Sequence, residues 1–387
     1  MKIVHTSDWH LGQNFFNFDR VGEQQVMLRQ VEEIVRKEQP DVFILAGDIY
    51  DVANPSAAVQ KVFQDAILSL HRACPDMRIV AISGNHDSGA RHIVYQRPWE
   101  ELGVYMVGTI AKNNPEEHII KIGDKGYVVA VPYVASRLMP DGFFQQLYDL
   151  ANERNTAQLP VVLTAHLAVS YADHRGNDVC DRYIGGIECA DESDFSRYDY
   201  VALGHIHRAQ FIDSSKRIRY AGTPLPTSFD EVYRGCEHTV SVVEIPRGGD
   251  MPMLRTIPIT NPCPLVNIPA EGAAEWGEVK KQLMAFPDDL RAYLRLCVQV
   301  PAGGSLPMAD AEVRKLLEGK AVHYCYTQSV RTAQTMGENR HTRLTLGEFR
   351  EMSPIDVLER WMEGQGGTLT DEQRRMFHEA EEQINND

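Results

Sequence analysis

Residues 83–87 read SGNHD and directly follow the apolar run RIVAI at residues 78–82. A short apolar run is typical of a buried strand, and this one ends in two small residues and then three polar ones. Three other stretches place similar polar residues after apolar runs: SDWH at residues 7–10, GDIYD at residues 47–51 and LGHIH at residues 203–207. Polar residues at several strand ends indicate the ligand-binding edge of an open α/β sheet.

Strand and helix patterns alternate over the first two hundred residues. Amphipathic stretches at residues 21–37 and 56–70 lie between the successive apolar runs KIVHTS, DVFILAGD and RIVAISG. These runs are apolar nearly throughout, as expected for strands that are covered on both faces. The strand–helix–strand order predicts a mostly parallel sheet. After residue 207 hairpin-like strands follow, and we expect them to complete an α/β domain with a second sheet.

Composition shifts along the chain predict four segments. The core is expected over residues 1–260, a strand–helix unit over 261–330, a polar linker over 331–348 and a helical tail over 349–387. The two tail helices begin at Ser353-Pro354 and Thr370-Asp371, which are residue types that favour a helix start. Two isolated helices cannot bury their own apolar faces, so we expect them to dock on another surface.

The composition of this 387-residue chain, with 43% hydrophobic and 24% charged residues, is typical of an ordinary soluble globular protein. No apolar run reaches the ~18 residues of a membrane span, and no signal-peptide pattern opens the chain. Seven cysteines without a Cys-x-x-Cys pair indicate reduced thiols and a cytoplasmic location. The net charge of −15 argues against nucleic acid as a partner, unless bound metal ions and a basic partner chain offset it.

Candidate metal ligands stand at the predicted carboxyl ends of five strands. Two pairs of them are two residues apart and therefore share one face of a strand end. Carboxylates combined with imidazoles suit manganese, iron or zinc, and seven ligands are too many for one ion. Asp48 could bridge two ions. The seven candidates are Asp8, His10, Asp48, Asn85, His166, His205 and His207.

Each of these residues also has a structural explanation when it is taken alone. A single buried histidine is usually a hydrogen-bonded core residue, Asp48 after a glycine could cap a helix, and residues 85–87 could form an Asx turn. Their joint occurrence at the same kind of position favours the metal site.

The same motifs resemble those of the calcineurin-like metallophosphoesterase superfamily. The flanking sequences are similar to the SbcD-type DNA nuclease subunits, the bacterial relatives of the eukaryotic double-strand-break repair nuclease. The similar stretches are HTSDWHLGQ at 5–13, AGDIYD at 46–51, LGHIHRAQ at 203–210 and GTPLPTSFDE at 222–231. The resemblance implies a four-layer αββα sandwich, a small α+β capping domain over residues 261–330 and a helical tail.

The resemblance also implies roles for individual residues. One divalent ion would be held by Asp8, His10, Asp48 and His207, and the other by Asp48, Asn85, His166 and His205. His86 would protonate the leaving oxygen while Asp87 orients it, and a water activated by the two ions would attack phosphorus in line. Mn²⁺ is the expected metal, with Mg²⁺, Fe²⁺ and Zn²⁺ as alternatives. Archaeal members have a histidine where this chain has Asp51, for which we expect no more than an orienting role.

The activity implied by the resemblance is 3′–5′ exonuclease and endonuclease cleavage at DNA ends and hairpins. The implied assembly is a homodimer within a heterotetramer that contains an SbcC-type ABC ATPase, on whose coiled coil the tail would dock. It would act in the cytoplasm, at the nucleoid when on DNA, and not at a membrane. Helices 21–37 and 56–70 are candidates for the dimer surface, and Arg91 and Arg208 are weak candidates for phosphate contacts. The aromatic residues of NFFNF at 14–18 are expected to pack, with base stacking as the alternative.

Two other functions remain open from the sequence. The core motifs also permit a metallophosphoesterase that acts on small phosphate esters or phosphoproteins, because the metal site itself reads only a phosphate ester. A non-catalytic scaffold would be expected to lack a ligand or His86, and none is missing.

Overall fold

The computed structural model describes residues 1–135, 138–170, 172–173, 190–248, 250–301 and 305–331, with residues 355, 370, 373–375 and 377 of the tail. The strands are β1 (Lys2–Thr6), β2 (Asn14–Phe15), β3 (Phe18–Asp19), β4 (Val42–Ala46), β5 (Arg78–Ile82), β6 (Val104–Val107), β7 (Ile119–Ile122), β8 (Gly126–Val131), β9 (Val161–His166), β10 (Tyr200–Gly204), β11 (Gln210–Phe211), β12 (Ile218–Tyr220), β13 (Thr239–Glu244), β14 (Met253–Pro258), β15 (Leu265–Ile268), β16 (Ala292–Val300) and β17 (Val322–Arg331). The helices are α1 (Val21–Glu38), α2 (Ala57–Ala73), α3 (Gly89–His92), α4 (Gln96–Glu100), α5 (Phe143–Arg154), α6 (Phe229–Tyr233), α7 (Trp276–Ala285) and α8 (Asp310–Leu316).

Two six-stranded mixed sheets form the core. The first has the order β14-β13-β1-β4-β5-β6, with β1, β4, β5 and β6 parallel and β13 antiparallel to β1. The second has the order β11-β12-β10-β9-β8-β7, with β8, β9, β10 and β12 parallel. The parallel strands of each sheet therefore present their carboxyl ends at a common edge.

The two sheets pack face to face, and helices cover their outer faces. In β4, Ile44 belongs to the apolar cluster between the sheets, whereas Phe43 and Leu45 belong to the cluster with α1 and α2. On the second sheet, Leu163 packs with Phe143 of α5. This alternation explains why the strands are apolar nearly throughout. The expected four-layer αββα arrangement is confirmed.

The hairpin strands after residue 207 do not form the second sheet by themselves, contrary to the expectation from sequence. β13 and β14 extend the first sheet beside β1, while β11 and β12 form one edge of the second. The second sheet is built mainly from β7–β10, which the sequence pattern assigns to one continuous sheet with the earlier strands. Strand patterns report burial but not which sheet a strand joins, because both sheets bury both faces.

A smaller sheet follows the core and has its own apolar cluster. Its order is β15-β16-β17, and β15 and β16 are parallel. Leu294, Leu296 and Val298 of β16 pack with α7 and α8 in this cluster. Residues 1–330 nevertheless group as one compact unit and residues 331–387 as another. The separate capping domain over 261–330 stays a prediction.

The predicted linker and tail lie almost entirely outside the described residues. At the expected start of the last helix, Thr370 Oγ1 accepts a hydrogen bond from the backbone nitrogen of Gln373, and the Gln373 side chain accepts from Thr370 N at 3.0 Å. This reciprocal pair is a capping box, as the N-cap residue type predicts. The Ser353-Pro354 start lies outside the described residues.

Within the described ranges, none of the helices has both the length and the apolar character needed to cross a bilayer.

Replacing Ile44 by alanine tests how far the contact between the sheets stabilises the fold. Ile44 is fully buried between them, so Ile44→Ala is expected to lower the free energy of unfolding by about 2–5 kcal/mol. The matched control is Val52→Ala, because Val52 is 52% exposed and its loss should cost no more than about 0.5 kcal/mol. Urea unfolding of both variants measures the difference, and equal effects would contradict the sandwich core.

Candidate metal centre

All seven predicted ligands meet where the carboxyl ends of the two sheets converge. Asp8 and His10 follow β1, Asp48 follows β4 and Asn85 follows β5 of the first sheet. His166 ends β9, and His205 and His207 follow β10 of the second sheet. The loops after β1 and β4 pair further, because Asp8 N donates to Gly47 O and His10 N donates to Asp48 O.

Two glycines let the strand ends approach closely enough for the side chains to meet. A Cβ on residue 204 would lie 1.9 Å from the carbonyl oxygen of Ala46, so only glycine permits the two sheets to touch there. A Cβ on Gly84 would lie 2.1 Å from Asp48 Oδ1. The small residues that precede His205 and Asn85 are therefore required by packing.

The backbone is strained at four of the expected ligands. Asp8, His10, Asp48 and His205 have positive φ angles of 53°, 44°, 47° and 102°. A non-glycine residue in this region costs about 1–3 kcal/mol and persists only where the surroundings hold it. This concentration of strain is typical of a functional site.

In the first group of expected ligands, the Nε2 atoms of two imidazoles point towards each other. His10 Nε2 and His207 Nε2 lie 3.2 Å apart. The ligand atoms of Asp8, His10 and His207 all lie within 4.8 Å of one another. His10 Nε2 is also 3.8 Å from Asp48 Oδ2. These contacts join the four residues expected to hold one ion.

The second group is centred on the side-chain oxygen of Asn85. Asn85 Oδ1 is 3.0 Å from His166 Nε2 and 2.9 Å from His205 Nδ1. His166 Nε2 in turn is 3.4 Å from Asp48 Oδ2. The structure therefore brings together the four residues expected around the other ion, and Asp48 contacts histidines of both groups.

The donor set fits divalent metal ions. The His166 imidazole donates from Nδ1 to the carbonyl of Ala46, 2.8 Å away, and His207 Nδ1 lies 3.0 Å from Glu231 Oε1. Because the outer nitrogens are occupied, the inner Nε2 atoms are left for the site, which is the usual arrangement of metal-ligating histidines.

Charges within the site alter its proton affinities. Burial alone would raise the pKa of the Asp48 carboxyl, but the imidazoles of His166 and His10 outweigh burial and hold that pKa well below its usual range. Burial lowers the pKa of His207, but the hydrogen bond and charge of Glu231 raise it to about 9. Burial likewise lowers the pKa of His166, but the Asp48 carboxylate raises it to about 9, so a cation that binds must replace the protons of His166 and His207.

His86 lies beside the first group, with its ring centroid 4.9 Å from that of His10. Its backbone nitrogen donates to Asp48 Oδ1 at 2.8 Å. His86 Nδ1 donates to the backbone carbonyl of Asp51 at 2.8 Å, which leaves Nε2 free of that contact. Asp51 thus orients His86 through its main chain. One ring nitrogen of His86 also lies within 4.8 Å of ligand atoms of His10 and Asp48.

Asp87 is placed differently from the sequence expectation. Its buried carboxylate accepts hydrogen bonds from the backbone nitrogens of Ile49, Tyr50 and Gly84, each at 2.9–3.0 Å. Two of these donors lie in the loop after β4 and the third, Gly84, lies in the loop after β5, and none of them belongs to the His86 ring. Asp87 therefore supports His86 indirectly, by holding the loop that carries the Asp51 carbonyl.

The weaker candidates have separate surroundings. Arg208 Nε lies 3.3 Å from Asp173 Oδ2, and Arg208 also donates to the carbonyl of Arg234, so this side chain has protein partners. Arg91 is exposed on α3. In the NFFNF stretch, Phe15 is buried against Phe229, which agrees with the packing expectation. Phe16 is 43% exposed and stacks on Tyr326.

Several supporting residues escaped the sequence analysis. Thr223 Oγ1 donates to the carbonyl of Asp8, and Thr227 and Glu231 contact His207 Nδ1. Gln24 of α1 donates to the carbonyl of His10. The stretch GTPLPTSFDE at 222–231 carries part of the family resemblance, but a position in a loop or helix does not reveal which ligand a side chain reaches.

Comparisons with known proteins identify relatives of this chain. A family model described as calcineurin-like phosphoesterase matches residues 1–209. The SbcD subunit of the SbcCD nuclease of Rhodobacter capsulatus is 31% identical, with 82% of this chain and 85% of that protein covered. The protein of the same name from Escherichia coli K12 is 32% identical, with 60% of this chain and 62% of that protein covered. The one from Bacillus subtilis is 29% identical, with 64% of this chain and 67% of that protein covered. Among solved structures, a dimetal phosphatase from Danio rerio is similar with a TM-score of 0.38 at 11% identity, over 66% of this chain and 98% of that one.

Gly84→Ala tests the close packing against Asp48. The added Cβ would overlap Asp48 Oδ1 and must displace the carboxylate, so Mn²⁺ binding is expected to weaken by about 10-fold or more. Gly22→Ala is the matched control, because nothing lies within 4 Å of its Cβ position and alanine favours the helix by about 0.5–1 kcal/mol. Mn²⁺ titration and thermal unfolding measure both effects. Unchanged binding in Gly84→Ala would show that the contact does not position Asp48.

The pH dependence of metal binding tests the raised pKa of His207. Because burial is outweighed by Glu231 and the pKa of His207 is raised from 6.5 to about 9, this residue would have to lose a proton to serve as a metal ligand at neutral pH. Mn²⁺ affinity should therefore rise with pH below about 9, by about tenfold per unit for each displaced proton. Glu231→Gln removes the charge that raises this pKa, so the part of the rise that comes from His207 should move to lower pH, while the part from His166 should stay. Titration calorimetry in buffers of different ionisation enthalpy counts the protons, and pH-independent affinity would contradict the assignment.

Proposed function

The chain belongs to the calcineurin-like phosphoesterase family, and within it to the SbcD-type nuclease subunits, and on this premise we propose that it is a metal-dependent DNA nuclease whose site holds two divalent ions. It would hydrolyse phosphodiester bonds as a 3′–5′ exonuclease and an endonuclease at DNA ends and hairpins. The observation that carries the proposal is the pair of ligand groups on either side of Asp48. Two bound ions would make a water nucleophilic at neutral pH and offset charge on the phosphate oxygens.

The protein's own residues would position these ions in two sets. Asp8, His10, Asp48 and His207 would hold one ion, and Asp48, Asn85, His166 and His205 the other. The mixture of carboxylate, amide and imidazole ligands suits Mn²⁺. The strained backbone at Asp8, His10, Asp48 and His205 supports this assignment, because strain is retained where a fixed ligand geometry is needed.

His86 would act as the proton donor to the leaving oxygen. The sugar alkoxide expelled from DNA is a poor leaving group unless it is protonated, and general acid help of this kind contributes about 10²–10⁴ in rate. Donation from Nδ1 to the Asp51 carbonyl leaves Nε2 as the atom that carries the transferable proton. The ring is partly exposed, whereas His10 and His166 are buried, which suits a group that must reach substrate.

The proposed assembly follows from the relatives' name, which describes one subunit of a two-part nuclease. We propose that this chain forms a homodimer and joins an SbcC-type ATPase, whose coiled coil the tail over residues 349–387 would bind. The small sheet over residues 261–330 would cap the site against DNA. Such a complex would act in the cytoplasm, at the nucleoid when on DNA, and its ATPase would supply basic surface to offset the net charge of −15 of this chain.

A second candidate function is hydrolysis of small phosphate esters or phosphoproteins. The ligand groups alone favour neither substrate, because they contact only the phosphate. The difference must be measured with substrates that share the phosphate but differ in the groups around it.

His86→Asn tests the nuclease and the proton donor together. Metal-free chain is given Mn²⁺ and either end-labelled duplex DNA or an aryl phosphate ester. Cleavage of DNA from the 3′ end should fall by about 10²–10⁴, and the aryl ester should be affected less because a phenolate leaves without a proton. Mn²⁺ stoichiometry should stay unchanged, since His86 is not assigned as a ligand.

The control is His71→Asn, in the last turn of α2, which should cleave DNA at the rate of the unaltered chain. Turnover of the aryl ester with intact DNA would favour the second candidate function. Loss of one bound Mn²⁺ in His86→Asn would instead make His86 a ligand.

A further inference from the structure

We propose that β16 of the small sheet positions the two facing histidines of one metal group, His10 and His207, through Tyr293 and Arg295. The proposal rests on the metal site proposed above. The proposal predicts that the two ion sites respond differently to changes in the small sheet, because the group containing His10 and His207 would depend on it and the other group would not.

The two faces of β16 serve different cores. Leu294, Leu296 and Val298 point into the small sheet's own apolar cluster. Tyr293 instead belongs to the cluster formed with Phe15 and Phe229. Because side chains alternate along a strand, Arg295 shares the face of Tyr293. One face of β16 is therefore directed at the residues around the metal centre.

Tyr293 is linked to the loop of His10 through α1. Its hydroxyl donates to Glu23 Oε1 at 2.7 Å, and Glu23 Oε2 accepts from Arg20 Nε at 2.8 Å. The neighbouring Gln24 donates to the carbonyl of His10 at 2.7 Å and accepts from Gly12 N at 2.9 Å. Glu23, Gln24 and Arg20 are all at least 97% buried. The amide of Gln24 therefore clamps the loop that carries His10.

Arg295 is linked to His207 through α6. Its guanidinium donates to Asp230 Oδ1 at 2.6 Å and to Asn267 Oδ1 at 2.8 Å, and it lies over the ring of Phe229. The next residue of α6 is Glu231, which is fully buried and contacts His207 Nδ1 at 3.0 Å. Within this short helix, Asp230 thus contacts β16 and Glu231 contacts His207.

A shared contact joins the two arms. Arg20 donates to Gln13 Oε1 and to the carbonyl of Pro226, both at 2.7 Å, so the same guanidinium touches the segments before β2 and before α6. Buried charges such as Arg20 and Glu23 are costly unless every partner is in place. Small movements of β16 should therefore be transmitted to both histidines.

The other metal group is anchored within the sandwich. His166 Nδ1 donates to the carbonyl of Ala46 at the end of β4, and Asn85 contacts His166 and His205. These residues lie at the ends of β5, β9 and β10. The contacts named here are made within the two large sheets and their loops, so loosening β16 should leave this group intact.

Two conservative variants of the full chain test the proposal. Tyr293→Phe removes only the hydroxyl that reaches Glu23, and Asp230→Asn removes the charge that pairs with Arg295. The controls are the same changes in the same sheet region, Tyr324→Phe and Asp310→Asn. The hydroxyl of Tyr324 donates to Asp310 Oδ1 at 2.8 Å, and neither residue reaches α1 or α6 through that bond.

Mn²⁺ is titrated into each metal-free variant, with chelator competition for affinity and electron paramagnetic resonance for the number and pairing of bound ions. His207→Ala and His205→Ala provide reference spectra for loss of either group. Removing a direct partner of a metal ligand costs about 10–100-fold in affinity. Tyr293 and Asp230 act further away from the ligands, so each variant should weaken one ion by about 3- to 10-fold, and the double variant should weaken the same ion more than either single variant.

The expected spectra of Tyr293→Phe and Asp230→Asn at limiting Mn²⁺ resemble that of His207→Ala, while both controls bind two ions as the unaltered chain does. Unchanged binding, or equal weakening of both ions, would overturn the proposal. Equal effects in the controls would also overturn it, since a general loss of packing would then explain the result. If the unaltered chain bound no pair of Mn²⁺ ions, the proposed function itself would fail, and this outcome is visible before any variant is compared.

Discussion

The site depends on the contact between the carboxyl ends of two separate sheets. The Asp48 carboxylate follows a strand of the first sheet and lies 3.4 Å from His166 of the second and 3.8 Å from His10 of its own sheet. The close approach of the two sheets that brings Asp48 to His166 depends on Gly204, because a Cβ at this position would clash with the Ala46 carbonyl. The apolar packing that joins the sheets therefore also sets the spacing of the ligands.

Burying these carboxylates and imidazoles together is unfavourable without a cation. The surrounding residues therefore have to stabilise them. Four of the proposed ligands have positive φ angles, and buried carboxylates and imidazoles lie close together in the same volume. The structure offsets these costs with directed hydrogen bonds from backbone groups, such as the three that Asp87 accepts and the one that His166 donates to Ala46. A bound metal would replace the protons that now balance the carboxylates. Stability and metal affinity are therefore linked in this site.

The clustering of the seven proposed ligands could be predicted from sequence because each one follows an apolar strand, and strand ends converge in α/β folds. The residues that hold the ligands could not. Glu231 belongs to a five-residue helix and Gln24 to the first turns of a long one, and neither helix pattern indicates which side chain reaches a histidine. The family resemblance implies that Asp87 orients His86, but its carboxylate accepts hydrogen bonds from backbone nitrogens of Ile49, Tyr50 and Gly84. Likewise the pattern predicts β13 and β14 as strands, yet only tertiary pairing determines that they join the first sheet.

The two halves of the site differ in where their support comes from. His166 is held by a backbone carbonyl of the opposite sheet, which moves only if the sandwich itself opens. His207 contacts the Glu231 side chain. The neighbouring Asp230 of the same helix contacts Arg295 of the small sheet, which lies 65 positions further along the chain. Support from the central sheets is rigid, whereas support through side chains and a short helix can be altered without unfolding the core. The proposed site therefore has one half that is supported by the sandwich and one half that is supported through the small sheet.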